Sequence, residues 1–244
     1  MERQPKIQCI WEHNGNDTLL YAGNMIGAFT RGDTKDNALM KMADEILAYE
    51  RWREGTFGQD YMDFAPEITV VQEKTSELNI RDADSDVLFE SEKAPLSEAE
   101  YRHLKALVLK SAQDFLALYE SFPDKNKSVR SERTTFYGQV PRTAEEMYQH
   151  TKNVNAYYFG ELDIPADNEG TIYECRVRGF EALERQADYL ANPVIEGSFG
   201  EAWSLRKMLR RFLWHDRIHA KAMYRTGIAA FGKGEIPDIF RFEG

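Results

Sequence analysis

Cysteine is almost missing from this chain of 244 residues, which has only Cys9 and Cys175, far apart in sequence. Two cysteines cannot build a disulfide framework or a cysteine zinc cluster, so any bound metal would rest on histidine and carboxylate. Long apolar runs are missing too. None approaches the roughly 18 residues a membrane span needs, and the opening MERQPKIQ lacks the basic-then-apolar pattern of a signal peptide. The expectation is a cytoplasmic protein with no membrane association. Basic charge is scarce, with 31 Lys+Arg against 41 Asp+Glu and a net charge of −10. Most of the deficit lies in residues 1–95, where 10 basic residues face 19 acidic ones, while the remainder is near balance with 21 and 22. A negative field repels phosphate, so nucleic acid is excluded as an expected partner and a basic protein suits the acidic part better.

What the chain does have is enough apolar material for a sizeable core, at 42% hydrophobic and 12% aromatic. Its length admits one large domain or two medium ones. From Lys6 the text reads KIQCIWEH, DTLLYAGNM and AFTRG, short runs rich in β-branched and aromatic residues. They are broken by Asn14-Gly15-Asn16, a hairpin signal, and by Ile26-Gly27. Asp33 or Thr34 then caps a helix whose apolar positions are Leu39, Met42, Ala43, Ile46, Leu47 and Tyr49, closing near Trp52 to Gly55. The strand PEITVVQEKT follows from Pro66. The order β-β-β-α-β predicts a small α+β layer with its helix over one sheet face. On GNMIGAFTRGDTKDNALMKMADEILAYERW, residues 5–75 resemble the HicB-like domain. Such domains usually serve as antitoxins joined to a DNA-binding segment. No such segment is apparent here, and because fold does not carry function residues 1–80 are expected to be a folding or docking module fused to the rest.

Residues 81–95 are acidic and interrupted and are expected to be a linker. Beyond them, Ser97 with Glu100 and Thr143 with Glu146 are capping boxes that open two helices. A third helix is expected over Ile172–Leu190, and Ser204 caps a fourth. The polar connection between the first two is too long for a tight turn and is expected to carry a short β-ribbon around Thr134 to Tyr137. Residues 96–244 therefore predict a four-helix bundle with a C-terminal extension, and the whole chain is placed in the α+β class.

The last helix carries His215 and His219, four positions apart and thus on one face. They fall in the stripe of Leu205, Met208, Leu209, Phe212, Ala222 and Met223, opposite a charged face formed by Arg206, Lys207, Arg210, Arg211 and Arg217. His150 lies on the apolar stripe of the second bundle helix, whereas His13 and His103 stand outside the pattern. Three inward imidazoles would hold Zn²⁺ or Ni²⁺ and leave a coordination position open. The intervening Asp216-Arg217-Ile218 excludes the His-Glu-x-x-His of zincins. Tyr148, Asn153 and Tyr157 stand near the His150 turn, where they could orient a substrate. Cys175, alone on an apolar helical face, is expected to be buried and inert.

RTAEEMYQHTKNV and WSLRKMLRRFLWHDRIHAKAM, and with them residues 96–230, resemble the DinB superfamily. Members with a histidine triad bind nickel or zinc. The resemblance implies His150, His215 and His219 as the metal ligands, a low-molecular-weight thiol as co-substrate, a homodimer, and a thiol-dependent S-transferase or hydrolase of small molecules. The other class open at this stage is a non-catalytic scaffold protein whose acidic HicB-like domain docks a protein partner or self-associates.

Overall fold

The computed structural model of this chain describes residues 6–54, 66–135 and 137–243. It is a mixed α+β structure that divides into two compact units, Met1–Ala94 with Arg241–Gly244, and Pro95–Phe240. Gly55, where the first helix was expected to close, lies outside the described residues, as does Phe136 within the expected ribbon. No helix among the described residues is long and apolar enough to cross a membrane.

The first unit is built on a four-stranded sheet in the order β3-β2-β1-β4, from β1 (Lys6–His13), β2 (Thr18–Ala22), β3 (Phe29–Gly32) and β4 (Glu67–Thr75). β1 pairs antiparallel with β2 and parallel with β4. The first hairpin turns where Asn-Gly predicts it. Gly15 takes a φ of +89°, and the Asn14 side-chain oxygen accepts from the amides of Asn16 and Asp17. Helix α1 (Lys35–Glu54) packs on β2 and β3 and begins at Thr34, whose hydroxyl accepts from the Asn37 amide.

Of residues 81–95, expected as a linker, 81–94 belong to this unit and carry buried side chains. Val87, Phe89 and Glu92 are buried, and Ser85 donates at 2.5 Å to the buried carboxylate of Glu12, which also accepts from Tyr21. Acidic, interrupted composition suggested a linker. The apolar residues spaced between its acids, with the hydrogen bonds to Glu12, hold it down instead.

The second unit holds α2 (Glu98–Glu120), α3 (Ala144–Gly160), α4 (Ile172–Glu184) and α5 (Leu205–Phe231). α2 and α3 each pack against both α4 and α5. The Ser97–Glu100 and Thr143–Glu146 boxes both form, and Ser204 accepts from the Lys207 amide at the start of α5. Thr171 with Glu174 makes a third box that the sequence reading passed over. The helix expected to reach Leu190 stops at Glu184. The Gln186 amide bonds to Leu183 in a tighter turn and Asp188 takes a left-handed φ of 55°. The ribbon pairs β5 (Thr134–Thr135) with β6 (Gly138–Gln139), and a second pair, β7 (Ile195–Glu196) with β8 (Ala202–Trp203), leads into α5.

Candidate metal centre

Because α5 runs unbroken for 27 residues, His215 and His219 stand one turn apart with ring centroids 4.5 Å from each other. α3 brings His150 to the same place, 5.2 Å from His215 and 4.6 Å from His219. One ligand nitrogen from each ring lies within 4.8 Å of the others, and among the described residues this is the one such group of histidine, cysteine or acidic side chains. Bonds of about 2.1 Å to a tetrahedral ion would set neighbouring nitrogens about 3.4 Å apart, a gap that modest χ rotations of three rings can close.

The donor set suits a borderline-soft divalent ion. His215 is 9% exposed, and its Nδ1 is buried without a hydrogen-bond partner. Burial first, and then the neighbouring His219, His150 and Arg211, hold its pKa well below the ordinary value, so its lone pair is available at neutral pH. Partial desolvation by the surrounding side chains also lowers the pKa of His150, although part of the residue remains exposed. An orphaned buried nitrogen beside two further imidazoles fits a cation.

All three histidines were expected to face inward, and in this respect the arrangement differs. His150 is exposed and His219 half-buried, so only His215 is an interior residue. The cluster therefore meets solvent at His150. The face assigned to solvated charge is corrected more strongly. Lys207, Arg210, Arg211 and Arg217 are all buried. Lys207 donates to the Ala202 carbonyl at 2.7 Å and pairs with Glu201 at 2.8 Å. Arg211 stacks over Trp214 at 5.0 Å and over Trp203 at 5.6 Å. One signal was available in the sequence. α5 carries seven basic residues and a single acid, Asp216, so its charges have few partners at i+3 or i+4 and must find them elsewhere.

The other candidates separate cleanly. Tyr148 is core, stacked on Tyr119 at 4.1 Å and accepting from the Ile172 amide. Asn153 is exposed, and its carbonyl accepts from Asn168. Tyr157 is 38% exposed against Trp203. Its neighbour Tyr158, unremarked as a site residue, meets His215 edge-on at 6.1 Å. Cys175 is buried and donates to the Ile172 carbonyl, and burial raises its pKa, so it is no nucleophile. His13 pairs with Glu73 in the first unit, and His103 is exposed on α2.

Asp216 points away from the pair's face, as helical periodicity requires, and reaches Arg176 of α4 through two bonds of 2.6 and 3.3 Å. Both side chains are fully buried. No family model, curated protein or solved structure matches this chain.

Proposed function

We propose that His150, His215 and His219 hold one divalent cation, zinc or nickel, and that the second unit is a DinB-like bundle acting as a metal-dependent transferase or hydrolase of small molecules. A low-molecular-weight thiol is the candidate co-substrate, and the first unit is read as a HicB-like docking module. The observation that carries this reading is the gathering of three ligand nitrogens within 4.8 Å around a buried His215 nitrogen that has no hydrogen-bond partner.

A divalent cation held there lowers the pKa of a thiol or water and so supplies a nucleophile at neutral pH. The protein's own contributions are separate. His215, kept neutral by burial, presents a lone pair rather than a proton. Tyr158 meets His215 edge-on and packs on Phe212, 5.1 Å away, which sets aromatic surface beside the buried imidazole. The exposed edge of His150 leaves the approach open to a substrate.

Metal analysis of the natively purified protein, before and after zinc or nickel loading, tests the reading. About one equivalent per chain is expected. His219→Ala should weaken binding by more than the 10–100-fold typical of losing an outer-shell partner. Less than about a tenth of an equivalent after loading would end the metal reading.

A further inference from the structure

We infer that Arg176 and Asp216 are positioning residues for the histidine cluster, setting the rotation of α5 so that His215 and His219 face His150. This rests on the metal-centre reading above and adds to it the device that holds the ligands in place.

The pair spans the interior of the second unit. Arg176 sits on α4 and Asp216 on α5, next to His215, and neither has any exposed side-chain surface. Two parallel bonds, Nη1 to Oδ2 at 2.6 Å and Nη2 to Oδ1 at 3.3 Å, fix an orientation as well as a distance. The same guanidinium lies 4.2 Å over the ring of Phe212, one turn before Asp216. α5 is thus gripped at i and i+4 by one side chain from α4.

α4 in turn is locked to the helix that carries His150. At Gly179 the α4 backbone comes so near α3 that a Cβ would stand 2.1 Å from the Phe159 ring. Asn155 of α3 donates to the Cys175 carbonyl of α4 at 3.2 Å. α3 and α4 therefore form one frame, and the ion pair adds to the packing of α5 on α2 and α3 a bidentate tie that is sensitive to the rotation of α5. Side-chain tips lie about 5–6 Å from a helix axis, so a turn of about 20° would move an imidazole by about 2 Å, as long as a metal–nitrogen bond.

Stability alone does not account for the pair. Desolvating two charges offsets most of their attraction, and well-packed apolar replacements of buried ion pairs are often neutral or stabilising. A geometric role predicts that ligand geometry is lost while folding is kept.

The test uses the full chain, with Co²⁺ as a spectroscopic probe, in wild type, Arg176→Met/Asp216→Leu and Arg176→Lys. The double variant leaves no unpaired charge, and the lysine keeps the charge but not the bidentate grip. Both are expected to keep a melting temperature close to wild type. Each should bind Co²⁺ about 10–100-fold more weakly, with the d–d bands of the bound ion shifted, which a purely structural role would not cause. Wild-type affinity and wild-type bands in both variants overturn the positioning role and leave the metal reading standing. Absence of Co²⁺ uptake by the wild type overturns the two together. If the double variant does not fold, Arg176→Lys decides, and unchanged binding there overturns the inference.

Discussion

Lys207 has no exposed surface, yet its ammonium is not expelled from the second unit. Burial is the dominant influence on it and pulls its pKa from 10.5 to about 8, with Glu201 acting in the opposite sense. A lysine depressed in the folded state is charged in the unfolded chain over a pH range where the native protein has released the proton. The cost of burying its charge is therefore borne in full below pH 8, and stability recovers as pH rises from about 8 toward 10.5. Between pH 7.5 and 9.5, urea unfolding should show wild type gaining on the order of 2 kcal/mol relative to Lys207→Met. Parallel profiles for the two proteins would remove Lys207 as the cause. None of this could be foreseen from position 207 itself, because Glu201 and the Ala202 carbonyl come from β8 and the turn before it, ahead of the helix.

At the scale of elements, the contact of α3 with α4 depends on a missing side chain. Phe159 is fully buried and closed in by Phe180 at 5.3 Å and Phe212 at 5.4 Å, so its ring cannot yield to a methyl group at Gly179. Alanine at that position would gain up to about 1 kcal/mol in helix propensity, while overpacking costs about 1–3 kcal/mol and forces the helices apart. Gly179→Ala is expected to lower the melting temperature by several degrees in a thermal scan, and a rise would show that α3 and α4 can separate without loss. The helix signals themselves were legible. Ser97, Thr143 and Ser204 cap where local hydrogen-bonding chemistry says they should. The end of α4 was not, since Gln186 and Ala187 are good helix formers and nothing local stops the helix after Glu184. The orientation of α5 was only half legible. Its apolar stripe is real, but its basic face is buried too, because aromatic rings and carboxylates from other segments surround it.

For the molecule as a whole, two units of different construction share one chain, and the metal reading concerns only the second. An ion that binds the folded state stabilises it by mass action, by about 2.7 kcal/mol at 100 times its dissociation constant. Zinc should therefore raise the unfolding free energy of wild type by about that amount and leave His219→Ala almost unchanged, as read by chemical denaturation with and without chelator. Equal stabilisation of both proteins would place the zinc elsewhere.

Local chemistry was enough to determine the β-β-β-α-β order, the helix starts and the pairing of His215 with His219, since turns, caps and i,i+4 spacing involve residues only a few positions apart. Contacts distant in sequence needed the tertiary structure: His150 meeting that pair, Arg176 meeting Asp216, and residues 81–94 packing in the first unit. Burial decided those, because whether a charge or an imidazole is solvated depends on which other segments surround it, and no stretch of sequence contains its own surroundings.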